Sequence, residues 1–146
     1  MVLSNKRIDA IKRKANNIIN YSRCNNPFEI AALYDIEVQF IDINDDGIHA
    51  YSNSQTGIIY IDKRFGKNSY TAKILCAHEL GHVFLHSGLS AMEYNRYLDS
   101  ELTDETIKEY EANIFAITLM PQIAAGNNLL TYRPERLNRY INNKIR

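Results

Sequence analysis

Net charge is absent from this chain, and cysteine is scarce. The 17 Lys and Arg balance the 17 Asp and Glu, giving a formal charge of zero. That balance argues against a bulk polyanion as the main partner, so no direct contact with nucleic acid is expected. Two cysteines, Cys24 and Cys76, make no disulfide framework, and neither belongs to a CxxC pair. Cys76 sits in an apolar run and reads as a small core residue. No run approaches the roughly 18–20 apolar residues of a membrane span. The opening, MVLSNKRIDAIKRK, lacks the apolar centre of a signal peptide, so a cytoplasmic protein with no membrane partner is expected. A length of 146 residues suits one domain, 1–146, rather than two, and 45% apolar with 23% charged residues is a globular composition.

The charges that are present are grouped. Residues 1–24 carry six basic groups and one acid, residues 93–111 seven acids and two basic groups, and residues 132–146 five basic groups and one acid. Solvated helix faces account for this, with a grip of the two basic ends on an acidic or nucleic-acid partner as the sharper alternative. Ile8, Ile11, Ala15, Ile18 and Ile19 recur at helical spacing over residues 8–20. Asn26-Pro27-Phe28-Glu29 begins a second helix, with Asn26 as cap and Pro27 in the first position. From Ile36 the period changes to two, and strands are expected around Ile36 to Phe40, at Ile48 to Tyr51 and at Ile58 to Ile61. The turn-like segments between them suggest an antiparallel meander. The second half reads as helical over residues 69–86 and from Thr103 to Met120, where Pro121 stops the helix. A mixed connector, with a short helix around Met92 to Leu98, and terminal helices at 121–125 and 134–143 complete the expectation. The fold class is therefore α+β, a three-stranded antiparallel sheet packed with several helices.

Residues 74–86 read ILCAHELGHVFLH, apolar or small except at His78, Glu79, His82 and His86. At about 100° per residue all four fall within one arc of about 100°. A buried helix with one polar stripe is costly unless something satisfies that stripe, and a cation would do so. His78-Glu79-Leu80-Gly81-His82 is HExxH. Two imidazoles four residues apart can both face one Zn²⁺, and Glu79 on the adjoining face can serve as general base. The structural alternative is a set of core histidines satisfied by hydrogen bonds.

A catalytic zinc site needs a third protein ligand and an open position. His86 is the nearest candidate, but it lies about 12 Å further along the axis than His78 at ~1.5 Å per residue, too far for three positions to converge. It could stand behind the ligands, form a wall of the site, or simply end the helix. In the next helix an apolar stripe runs through Ile107, Ile114, Phe115, Thr118 and Leu119, and Glu111 falls inside it. Asp104, Glu105 and Glu109 fall outside and read as solvated. Glu111 is therefore the expected third metal ligand with His78 and His82, one zinc ion per chain; an ion-paired Glu111 is the alternative. Asp42 to Gly47 matches the opening of an EF-hand loop, but position 12 is Asn53 and the flanks are strands, so it reads as a turn.

HELGHVFLH, followed by Glu111 within YEANIFAITLMP, resembles the ImmA/IrrE family of metallopeptidases. Asn26-Pro27-Phe28-Glu29-Ile30-Ala31 followed by Asp35-Ile36-Glu37-Val38 is similar to that family's segment before its sheet. The resemblance covers residues 25–121 or so. It implies a small zincin-like α+β fold and a zinc peptidase with Glu111 in the third-ligand position. It also implies a partner: similar members on phages and integrative elements cleave a helix-turn-helix repressor. No separate DNA-binding domain is expected in this chain.

The expected chemistry is metal-assisted peptide hydrolysis with Glu79 as catalytic base, the substrate pairing as a strand with the sheet, for example at Ile58 to Ile61. A different class of function is a non-catalytic zinc-binding antirepressor that acts by association alone. A third is a zinc hydrolase of a non-peptide amide. The intact Glu79 favours catalysis, since a metal kept only for stability needs no base.

Overall fold

The computed structural model describes residues 4–45, 47–53, 55–86 and 104–121. These form helices α1 (Asn5–Ser22) and α2 (Pro27–Leu33), strands β1 (Val38–Ile41), β2 (Ala50–Ser52) and β3 (Ile59–Asp62), and helices α3 (Tyr70–His86) and α4 (Asp104–Leu119). The expected connector helix around Met92 to Leu98 and the two terminal helices lie outside the described residues. None of the described helices is long and apolar enough to cross a membrane.

Each helix starts where local chemistry directs it. The Ser4 side chain accepts from the Arg7 N–H, and Asn26 accepts from the N–H of Phe28, with Pro27 in the first turn of α2. Ser69 caps α3 by accepting from the Ala72 N–H at 3.0 Å. The last helix ends at Leu119, ahead of Pro121, which has no N–H to extend the ladder.

The sheet is mixed, which corrects the expected antiparallel meander. Its order is β1-β3-β2, with β3 in the centre. β2 and β3 pair antiparallel, Ala50 opposite Ile61, while β1 runs parallel to β3, Val38 opposite Ile59. The reason lies in burial. Ile59 and Ile61 are fully buried, whereas every residue of β1 is half-buried. The most apolar strand takes the middle, and the segment between β1 and β2 steps across the place it fills. Ile58 to Ile61 is thus flanked on both sides and offers no edge to a substrate strand. The edges belong to β1 and β2.

The core joins Ile11, Ala15 and Ile18 of α1, Ile30 of α2, Ile59 and Ile61 of β3, Ile74, Leu80 and Leu85 of α3, and Phe115 and Leu119 of α4. Each fully buried Ile or Leu side chain contributes about 1.5–3 kcal/mol. One position of the α1 stripe is charged: Arg7, one turn ahead of Ile11, is buried. The basic N-terminal segment is therefore not wholly a solvated face. The last helix packs against both α1 and α3. Its approach to α3 is set by Gly81, where a Cβ would come within 3.0 Å of the Ala112 Cα and 3.1 Å of the Phe115 Cβ. Only a residue without a side chain lets the two backbones meet there.

Candidate metal centre

The stripe read from the α3 sequence is buried at His78 and Glu79 and half-buried at His82 and His86. His78 and Glu79 are each 2% exposed. The rings of His78 and His82 stand edge to face with centroids 4.9 Å apart. Glu79 Oε2 lies 4.0 Å from His78 Nε2. Ser52 of β2 acts on the Glu79 carboxylate to lower its pKa, a smaller effect than that of burial. His78, Glu79 and His82 each offer a ligand atom, and these atoms all lie within 4.8 Å of one another.

The structure brings Glu109, rather than Glu111, to the two histidines. His78 Nε2 lies 2.9 Å from Glu109 Oε2, and His82 Nε2 lies 3.0 Å from Glu109 Oε1. Glu109, which the stripe had marked as solvated, is only 9% exposed. Glu111 is fully buried, as its place in the stripe implies, but its partners are elsewhere. Arg7 grips it through Nε at 2.5 Å and Nη2 at 3.2 Å, and His86 Nε2 lies 2.9 Å from its Oε1. His86 in turn places its Nδ1 3.1 Å from His82 Nδ1.

Helix geometry explains the difference. Two residues at about 100° each put Glu109 and Glu111 roughly 160° apart around the axis. The stripe reading assumes one buried face, whereas α4 is wedged between α1 and α3 and buries both. A signal for the second face was present. Glu109, Ala112 and Ala116 are spaced i, i+3, i+7, and small residues at that spacing mark close helix contact with a partner such as Gly81. Arg7 carried a signal of the same kind, since it stands four residues before Ile11 and so continues the stripe of Ile11, Ala15 and Ile18.

Electrostatics follow from this packing. Burial works against an ionised Glu109, yet its hydrogen bonds from the histidines prevail and hold its pKa down to about 2. Burial likewise opposes charge on His78, but the Glu109 hydrogen bond and the Glu79 and Glu109 charges raise its pKa above the ordinary value. Burial raises Glu79, against the lowering effect of the two histidines. Burial pushes His86 down to about 4, so it is neutral at pH 7. Glu111 is drawn below the usual carboxylate range, against its burial, by His86 and Arg7. Burial raises the Cys76 thiol far above its ordinary value, which suits an inert core residue.

The residues fit a divalent cation. Two imidazole nitrogens and a carboxylate from a second helix converge on one small volume, the donor set of a His₂Glu site, with a further carboxylate beside it. Over residues 31–140 the chain matches a peptidase family model described as the IrrE N-terminal-like domain. It belongs to the ImmA/IrrE family of metallopeptidases. Neither the comparison with curated proteins nor that with solved structures yields a match.

Proposed function

We propose that the chain is a zinc-dependent endopeptidase in which His78, His82 and Glu109 hold the ion and Glu79 is the general base. The observation that carries this reading is the convergence of two ring nitrogens on the Glu109 carboxylate, with Glu79 buried alongside. Bound zinc would lower the pKa of a water toward ~7 and polarise the scissile carbonyl. Glu79 takes the proton of the attacking water and returns it to the leaving amine. Its burial, which raises its proton affinity, suits that exchange. Ser52 of β2 lies near enough to act on that carboxylate. Because Ser52 belongs to an edge strand, an extended substrate laid along β2 would pass the base directly.

The proposed substrate is a regulatory protein, such as a helix-turn-helix repressor of a phage or mobile element. Family membership supports this choice. The test has two parts. Metal analysis of wild type should find one zinc per chain, lost in Glu109→Gln. A candidate repressor should be cleaved by wild type and left whole by Glu79→Gln. No metal in a reloaded wild type would sink the reading. A repressor bound equally well by both proteins and cut by neither would replace catalysis with stoichiometric antirepression.

A further inference from the structure

Behind the proposed centre lies a line of polar groups that the hydrolytic step itself does not use. It runs from Arg7 of α1 through Glu111 of α4 and His86 of α3 to His82. Arg7 lies outside the residues matched by the family model. We propose that Arg7, Glu111 and His86 are positioning residues that fix the ring and the tautomer of His82 for metal binding, so that α1 is part of the site. This inference rests on the reading of His82 as a metal ligand.

The argument is one of hydrogen-bond polarity. Glu111 is fully buried and gripped by a guanidinium through two nitrogens, so it is ionised and can only accept. The His86 Nε2 that faces it must therefore carry a proton and donate. In a neutral ring that leaves His86 Nδ1 as an acceptor. The His82 Nδ1 opposite it at 3.1 Å must then be the donor. With Nδ1 committed as the donor to His86, the lone pair that His82 can offer a metal is that of Nε2, the nitrogen that faces Glu109; in the metal-free chain the proton there is held by Glu109, and a bound ion takes that proton's place. One fixed charge at the far end thus sets the direction of every bond in the line. Partners of this kind orient metal-binding imidazoles and raise their basicity, and their loss typically costs 10–100-fold in metal affinity. Reversal of the line would place the lone pair of His82 on Nδ1, so that Nε2 could not give up its proton to a metal.

The test uses the full chain and measures zinc affinity by competition with a chromophoric chelator, together with the visible spectrum of the cobalt(II) form. The variants are Arg7→Gln, Arg7→Lys, Glu111→Gln, His86→Phe and Glu109→Gln. Thermal melts of the metal-free proteins establish that each is folded. Zinc affinity should fall roughly 10–100-fold in Arg7→Gln, Glu111→Gln and His86→Phe, with an altered cobalt spectrum. Arg7→Lys should keep affinity near wild type, because a cation still faces Glu111. Unchanged affinity and spectrum in folded Arg7→Gln, Glu111→Gln and His86→Phe, with zinc lost in Glu109→Gln, would overturn the positioning role and leave the metal centre intact. A wild type that takes up neither zinc nor cobalt would overturn both.

Discussion

Glu109 and Glu111 stand on different sides of α4, and the two are used in opposite ways. Glu109 looks toward α3 and meets two imidazoles. Glu111, two residues on, meets the Arg7 guanidinium of α1 and, at the end of α3, a third imidazole. Both are buried and both are held ionised, yet by different means. The positive group on Glu111 is a permanent part of the chain, since an Arg side chain stays charged. The groups on Glu109 are histidines, which carry charge only when protonated. A carboxylate whose charge is matched by Arg is a structural strut. One matched only by imidazoles is left with affinity for a cation. The difference between anchor and ligand thus comes from what the neighbouring helix supplies, not from the carboxylate itself.

The sharpest way to break this comparison is to neutralise each carboxylate in turn. Glu109→Gln should abolish zinc binding and peptidase activity together, measured by metal content and by cleavage of a cognate substrate. Glu111→Gln should retain zinc with weakened affinity. Equal loss in both would erase the distinction between the two faces. Next in size, Glu79→Gln should lower kcat by at least about 10²–10⁴-fold while zinc content stays at the wild-type level. Loss of zinc in that variant would make Glu79 a ligand instead.

Gly81→Ala addresses the spacing of α3 and α4. The added methyl would meet the Ala112 backbone at 3.0–3.1 Å. Overpacking of this sort costs about 1–3 kcal/mol, against up to ~1 kcal/mol of improved helix propensity. The expected result is a lower Tm and weaker metal affinity. An unchanged affinity would show that Glu109 can follow its histidines when the helices part.

The smallest effect expected is on the pH dependence of the metal-free protein. Glu109 falls from 4.5 to about 2 on folding, so its contribution is present above pH 4.5 and lost as pH falls toward 2. His86 falls from 6.5 to about 4, so between those values the unfolded chain binds more protons and acid again favours unfolding. His78, raised by folding, works the opposite way and loses its contribution as pH rises. Melts between pH 6.5 and 3 should show Tm falling steadily with acid. A Tm that rises on acidification to pH 4 would mean that His78 dominates.

HExxH was legible because its information is local: two imidazoles and a carboxylate within one helical arc need only the 3.6-residue turn. The cap at Asn26 was legible for the same reason. The strand runs were visible as well, but not their order, since sequence alternation says which residues are buried and not which strand lies between the others. Parallel pairing of β1 with β3 depends on Ile59 and Ile61 outcompeting the other runs for the centre. Glu109 was missed because a single amphipathic stripe is the signature of a helix with one neighbour, and α4 has two. The reading of Glu111 as a buried carboxylate in need of a positive partner was sound physics; Arg7, 104 residues away in sequence, lay beyond the reach of periodicity.

The contribution of α1 bears on where this protein can be cut. The family-matched region begins at residue 31, after α1 has ended. A fragment trimmed to that boundary would lose Ile11, Ala15 and Ile18 from the core and leave Glu111 buried without its guanidinium. An abandoned charge of that kind typically costs 3–5 kcal/mol, a large part of the roughly 5–15 kcal/mol by which a domain is stable. The start of the family-matched region and the start of the packed core are different places in this chain, and between them lie all of α1 and the first residues of α2.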